Sequence, residues 1–311
     1  MLDEINLASS DTLQRLCGLL DEPTGSVTLT ERGDACAIKR HPNFRVFAAM
    51  NPATDAGKKD LPSSIRSRFS ELYVDELLDP IELRLVAARY LDGVLPNDGK
   101  PPEHTDVIIS AVEVYLKCRE LAESVLSDGG GHKPRYTLRT LSRALCATKN
   151  INIRQRIPLR RAIYEGFQLA FEGALDASSV KVVRKTLKLL LAERTQRSIL
   201  EHPGKRPGGR IEGESYVLIK PFWIKGGPLE PVDWSEASTT GKSRFVLTTS
   251  VLSSLRRLSR ALAAGPWPVL LEGPTSAGKT TLVEYVAARC GQHVVRINNH
   301  EHTGKQLLCL H

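Results

Sequence analysis

Residues 271–281 read Leu-Glu-Gly-Pro-Thr-Ser-Ala-Gly-Lys-Thr-Thr, and no other stretch constrains the fold of this chain as tightly. The spacing is G-x-x-x-x-G-K-[ST], with Gly273, Gly278, Lys279 and Thr280 at the fixed positions. Ahead of it, Pro268-Val269-Leu270-Leu271 is a short apolar run that predicts a buried parallel strand. The glycines let the backbone curl so that N–H groups point at phosphate oxygens. Thr281 to Arg289 predicts a helix with Leu282, Val283, Tyr285 and Val286 apolar, and its N-terminal dipole favours the same anion. Strand, glycine loop and helix in this order form a P-loop, so the ligand class is a nucleoside triphosphate. The candidate ATP contacts are Gly273, Pro274, Thr275, Ser276, Ala277, Gly278, Lys279, Thr280 and Thr281. Lys279 would neutralise the β- and γ-phosphates, and the Thr280 hydroxyl would ligate Mg²⁺. A chance glycine–lysine turn is the alternative, and the strand–loop–helix context argues against it.

An ATPase built on this loop also needs an acidic pair to hold Mg²⁺ and activate water. No strand ending in Asp-Glu follows the loop, which lies about thirty residues before His311. The pair stands at the other end, in Met1-Leu2-Asp3-Glu4-Ile5-Asn6, which reads as the tail of a Walker B strand. Asp3 would ligate Mg²⁺ or sit in its second shell, and Glu4 would polarise the attacking water. Alone, an acidic pair beside an initiator Met is commonplace, and the next sixty or so residues strengthen it. Phe44 to Met50 is a β-rich run ending in Asn51-Pro52, which places a polar amide at the C-terminal tip of a strand, where parallel α/β sheets keep their ligands. Leu61-Pro-Ser-Ser-Ile-Arg-Ser-Arg-Phe69 follows, then the apolar run Leu72-Tyr73-Val74. Here the chain resembles an AAA+ ATPase core. Asn51 matches the sensor-1 position, and Arg66 and Arg68 match the arginine-finger region, whose guanidinium stabilises charge on the transferring phosphoryl group. Without that pattern the two arginines read as a solvated basic turn.

The wording is narrower still. Asp-Glu-Ile-Asn-Leu-Ala-Ser (3–9), Ala-Ala-Met-Asn-Pro-Ala-Thr-Asp-Ala-Gly-Lys-Lys-Asp-Leu-Pro (48–62), Arg-Ser-Arg-Phe-Ser-Glu-Leu-Tyr-Val-Asp-Glu (66–76), Gly-Pro-Thr-Ser-Ala-Gly-Lys-Thr (273–280) and Arg-Ile-Asn-Asn-His-Glu-His-Thr (296–303) together resemble the midasin family. Its members are dynein-like chains of six linked AAA+ modules that act in assembly of the large ribosomal subunit. The resemblance implies an α/β fold class: a partial AAA+ P-loop NTPase core, a helical lid subdomain, then the first strands and helix of a second AAA+ core. The expected divisions are 1–79 (Walker B, sensor 1, arginine finger), 80–200 (helical lid), 201–244 (linker with a strand or hairpin) and 245–311 (start of the next core, with the P-loop). Such a chain is a slice through two modules. After Thr303 the family pattern would continue acidic and aromatic, whereas 304–311 read Gly-Lys-Gln-Leu-Leu-Cys-Leu-His, so these residues are expected not to be native module sequence.

The resemblance also implies a function. ATP and Mg²⁺ would be the cofactors, and hydrolysis would occur at interfaces between neighbouring modules of the same long chain. The other partners would be pre-ribosomal large-subunit particles and their assembly factors, in the nucleolus and nucleoplasm of the nucleus. For the isolated chain, Lys279 and Glu4 would belong to different modules, so the expectation is a non-catalytic nucleotide-binding or assembly fragment. A MoxR-type or chelatase-like AAA+ protein is the other reading, and tandem modules in one chain argue against it.

The middle of the chain predicts helices. Pro80 opens one carrying Ile81, Leu85, Val86 and Ala88. Val107, Ala111, Tyr115, Cys118, Ala122 and Val125 recur at three- and four-residue steps, the mark of an amphipathic helix. Ser127-Asp-Gly-Gly-Gly-His132 breaks it. Helices are expected over 136–148 and 158–175, the latter with Ile163, Phe167, Ala170, Phe171 and Ala174 on one side, and Val180, Val183, Leu187 and Leu190 mark the last. These look like a lid, and within it Arg139 lies where the family's sensor-2 arginine contacts the γ-phosphate. An exposed helix arginine is an equal alternative. His202 to Arg210 is a linker by its glycines and prolines. Tyr216 to Lys225 reads as a strand turned by Gly226-Gly227, 250–264 as a helix, and His293 to Asn299 as the strand after the P-loop helix.

Composition excludes several classes. Six cysteines lack C-x-x-C spacing, which indicates neither a zinc site nor a disulfide framework. No apolar run approaches ~18 residues, so no membrane span is expected, and no signal-peptide pattern opens the chain. Residues 133–197 hold fifteen Lys/Arg against four Asp/Glu. An RNA-facing patch is one reading. A solvated lid face, or one that meets an acidic neighbour, is preferred. His300-Glu301-His302 makes a poor metal site without further ligands.

Overall fold

Helical periodicity is satisfied within a single segment, whereas a strand exists only against a partner, and this difference governs what forms here. The computed structural model describes residues 1–21, 25–28, 33, 36–53, 59–97, 99, 101–192, 203–207, 215–234 and 245–297. The chain divides into two units, Met1–Glu76 and Leu77–His311.

In the first unit the Leu2 N–H donates to Phe47 O (2.7 Å), and the Ala49 N–H donates back to Leu2 O (2.9 Å). This is a parallel bridge between Leu2 and Ala48. The 3₁₀ turn Ile5–Leu7 and helix α1 (Ser10–Leu20) follow, the helix capped by the Ser9 hydroxyl, which accepts from the Thr12 N–H. Two-residue strands β1 (Ser26–Val27) and β2 (Ile38–Lys39) pair antiparallel. Helix α2 (Ser63–Arg66) returns Ile65 to a small core with Ile5, Leu13 and Leu61. Among the described residues the β-rich run from Phe44 forms one bridge with the Leu2 segment, and Phe47 stays 69% exposed.

The second unit is built on helices α3 (Pro80–Tyr90), α4 (Asp106–Ser124), α5 (Leu138–Gln155), α6 (Leu159–Phe171) and α7 (Ala177–Leu187). Their core joins Leu83, Ile108, Tyr115, Leu141, Leu145, Phe167, Phe171 and Val183. The expected helix from Pro80 forms, but it buries Leu83, Ala87 and Ala88 and leaves Ile81 and Leu85 exposed. Val125, expected on the apolar face of α4, is exposed where the helix ends. Gly166 permits close approach of α5 and α6, since a Cβ there would lie 2.4 Å from Thr148 Oγ1 and 2.7 Å from Ala144 O. The expected amphipathic helix over 158–175 is instead enclosed on all sides, with Arg161, Glu165 and Gln168 buried beside its apolar residues.

The single strand expected over 216–225 is a hairpin, β3 (Tyr216–Ile219) against β4 (Phe222–Lys225), turned at Lys220-Pro221 rather than at Gly226-Gly227. Helix α8 (Thr249–Ala264) precedes the P-loop, and α9 (Lys279–Cys290) follows it. The two strands expected to flank α9 are corrected. Residues 268–271 and 293–297 have no ladder partner among the described residues, and Leu270 and Val295 are 90% and 79% exposed. Their apolar sequence is that of sheet residues, but strand burial depends on neighbours outside the segment. No helix among the described residues is long and apolar enough to cross a membrane.

Candidate nucleotide site elements

The P-loop curls as its residue types require. Ser276 (φ 64°) and Gly278 (φ 77°) both take left-handed backbone, and the Ala277 N–H closes on Pro274 O at 3.3 Å. Helix α9 starts at Lys279, and the first helical bond is the Leu282 N–H to Gly278 O (2.9 Å). The N–H groups of Lys279, Thr280 and Thr281 therefore face forward without intrahelical acceptors, beside the positive end of the helix dipole. Lys279 reaches back over the loop and donates through Nζ to Gly273 O (2.9 Å) and Pro274 O (2.7 Å). Gly273, Pro274, Thr275, Ser276, Ala277, Thr280 and Thr281 are all exposed along the same turn. Forward-facing amides, a lysine head held at the loop mouth and an adjacent hydroxyl suit a triphosphate.

The other candidate residues lie in the first unit, except Arg139. Asp3 and Glu4 follow the Leu2 bridge directly, and both are exposed. The Asp3 carboxylate accepts the Glu4 N–H at 3.0 Å, and Glu4 adopts a left-handed conformation (φ 51°) as the chain leaves the strand direction. The Ile5 N–H then donates to Ala49 O (3.1 Å), which keeps the acidic pair alongside the run that ends at Asn51. Asp3, Glu4 and Asn51 thus come together at the same end of two parallel segments.

Arg66 and Arg68 are exposed and each is paired with a carboxylate. Arg66 forms a bidentate pair with Glu71, Nε and Nη2 each 2.7 Å from a carboxylate oxygen, and the Glu71 carboxyl is held below its ordinary range by that hydrogen bond. Arg68 binds Asp21 at 2.7 Å and also donates to Ser64 O. Both guanidinium pKa values rise, first through these hydrogen bonds. Arg139 stands exposed in the first turn of α5.

The basic stretch has internal uses as well. Arg184 pairs with buried Glu172 (2.7 Å), Arg161 lies 3.9 Å from Glu165, and Arg160 lies 3.7 Å from Asp106. Arg143, Arg154, Lys181, Lys185 and Lys188 remain exposed. No cluster of three metal-ligating side chains occurs among the described residues, and His300 and His302 lie outside them.

The comparisons follow the same division. The AAA domain of the dynein-related subfamily matches residues 1–69, and the midasin AAA lid domain matches residues 82–194. The chain is 42% identical to midasin of Dictyostelium discoideum over 98% of its own length, and 33% identical to midasin of Giardia intestinalis over 97%. It belongs to the midasin family. It spans 5% of the Dictyostelium relative and 6% of the Giardia one. The fold is accordingly that of an α/β AAA+ fragment, rich in helix and short of paired strands, and the family is one of nucleotide-binding ATPases.

Two groups of side chains around the candidate residues carry little signal in the sequence. Glu71 and Asp21 as partners of the arginines are not marked by any motif. Asn6 adjoins the acidic pair, and only its position there hints at a role.

Proposed function

We propose that this segment belongs to an AAA+ machine that couples ATP binding and hydrolysis to remodelling and maturation of pre-ribosomal large-subunit particles in the nucleus. Glu4 would polarise the attacking water, Asp3 and Thr280 would serve Mg²⁺, and Asn51 would sense the γ-phosphate. Arg66 or Arg68 would reach a nucleotide of a neighbouring module, which requires Arg66 to exchange Glu71 for phosphate. Arg139 would act from the lid. The observation that carries this reading is the Leu2–Ala48 parallel bridge, which delivers Asp3, Glu4 and Asn51 to one edge. The pre-ribosomal role rests on the midasin relatives.

For the 311-residue chain taken alone, nucleotide binding without turnover is the second reading. It is favoured because Glu4 and Lys279 belong to separate units. A fluorescent ATP titration tests both readings. Weak binding abolished by Lys279→Ala, without hydrolysis, is the expected result. Sub-micromolar affinity that survives Lys279→Ala would overturn the assignment of the loop. A blot against residues 44–76 of cell extract tests the larger role: a product of midasin size that co-sediments with pre-ribosomes supports it, and a stable product near 34 kDa that does not co-sediment removes it.

A further inference from the structure

The Walker-B-like segment and the run ending at Asn51 exchange backbone hydrogen bonds only as far as Ile5. Beyond that point the chain turns into its 3₁₀ turn, and one side chain takes over. Asn6 is 2% exposed, and its Nδ2 donates to Asn51 O at 3.0 Å and to Lys59 O at 2.9 Å. Both acceptors are main-chain carbonyls, and an amide nitrogen, with two protons on one atom, satisfies them together without burying a charge. One side chain therefore ties Asn51 and Lys59 to the residue two places after Glu4.

Packing does not account for an amide here. Asn6 Oδ1 is buried and has no hydrogen-bond partner among the described residues, which costs desolvation without return. An apolar residue beside Ile5 and Leu61 would avoid that cost. What an apolar residue cannot do is continue the pairing of the two segments past the strand end, where the backbone of Glu4 has turned left-handed and left the ladder direction.

We propose that Asn6 is a positioning residue for the hydrolytic site: it fixes the Asn51 main chain, and with it the sensor amide, relative to Glu4. The inference rests on the roles proposed for Glu4 and Asn51, but the hydrogen-bond clamp stands without them. Asn6 touches neither nucleotide nor water in this role and acts through Asn51.

The test is made on the 311-residue chain without nucleotide, so that failure of nucleotide binding and failure of the clamp are separately visible. Carbonyl ¹³C and side-chain ¹⁵N resonances of Asn51 and Lys59 are followed in the wild type, Asn6→Ala and Asn6→Asp. Asn6→Ala is expected to move both carbonyl signals upfield and to average the Asn51 side-chain amide, with resonances of α1 unchanged. Asn6→Asp supplies the sharper reading. Its carboxylate would be buried against two carbonyls, which raises its pKa. Above that pKa it has no proton to donate, and below it the neutral acid donates one. The Asn51 and Lys59 signals should therefore be lost at alkaline pH and partly restored as pH falls. Should Asn6→Ala unfold the unit, the pH-dependent rescue in Asn6→Asp still decides the matter. Signals unchanged in either variant, or moved equally throughout the unit with no pH dependence, would overturn the proposal.

Discussion

Arg260 shows how a single residue can decide the packing of a helix. It lies on α8, is 5% exposed, and donates through Nε to Glu165 (2.7 Å) and through Nη2 to Gln168 on α6. Gln168 continues to the Tyr164 hydroxyl (3.0 Å) and to Glu172 (3.0 Å), which Arg184 of α7 clasps. Burial, followed by the Glu172 and Glu165 charges, pushes the Tyr164 hydroxyl up to about 12, so it remains a neutral hydrogen-bonding member. Removing one partner of a buried ion pair strands the other, at a cost of about 3–5 kcal/mol, whereas replacing the pair by apolar groups of like volume is close to neutral. Arg260→Ala should lower the unfolding free energy, read from urea melts, by up to that much, with Arg161 at 3.9 Å as the remaining cation beside Glu165. The triple variant Arg260→Met, Glu165→Leu and Arg161→Met, which leaves no charge of this buried cluster stranded, should recover most of it. Equal losses in both variants would mean that the network, rather than the uncompensated charge, carries the energy. None of this was legible in the sequence: α8 shows an amphipathic pattern, and nothing in it distinguishes Arg260 from exposed Arg256 or Arg257 until α6 is placed beside it.

At the scale of elements, legibility follows the range of the interactions. The helices at 106–124, 138–155, 159–171 and 249–264 were visible in kind because an i, i+3, i+4 pattern is complete within one segment, although α5 runs past the expected end at 148 and α6 stops at Phe171, short of the expected 175. The strands expected at 268–271 and 293–297 were read as buried from hydrophobicity alone, which says nothing about whether a partner lies beside them. Capping chemistry is local only in part, since its strongest partner can come from a distant turn. Asp176 opens α7 by accepting from the Ser127 and Ser178 hydroxyls and from the Ser178 and Ser179 amides. These bonds, Ser127 first, hold its carboxyl well below the aspartate range. A depressed folded pKa makes the stabilisation fully present above the unfolded value of about 4, and it is lost as pH falls toward the lower folded one. The unit should therefore lose stability below about pH 4 in part through α7. Asp176→Asn cannot titrate, so urea midpoints measured from pH 7 to pH 3 should fall less steeply than in the wild type. Parallel slopes would remove Asp176 from the acid response.

Over the whole second unit, residues 216–234 bridge the helical bundle and the P-loop helix. On one side, Gln155 of α5 exchanges two hydrogen bonds with the Trp223 main chain, Nε2 to O at 2.9 Å and N to Oε1 at 2.8 Å. Phe222 is buried there among Ile151, Ile157, Ala162 and Ala263. On the other side, the N–H groups of Gly227, Leu229 and Val232 donate to Cys290 O, Gly291 O and Ala288 O at the C-terminal end of α9, where carbonyls run out of intrahelical donors. Asp233 adds the Arg289 guanidinium (2.7 Å) and the Tyr285 hydroxyl (3.2 Å). Ile224 packs against both cores, so the two sides are joined by contact as well as by hydrogen bonds. The sequence suggested a strand and a linker here, and the bridging could not be read from it because every contact is made to a segment distant in the chain. Gln155→Ala leaves the Trp223 N–H and C=O without their partners, a loss of about 2 kcal/mol. If the segment transmits that loss, amide exchange should accelerate together at 216–225 and at the last turn of α9, while α3 and α4 keep their protection. Acceleration confined to the hairpin would show that α9 holds its C-terminal end independently, and the bridge would then be a cover on the bundle rather than a link from the bundle to the P-loop helix.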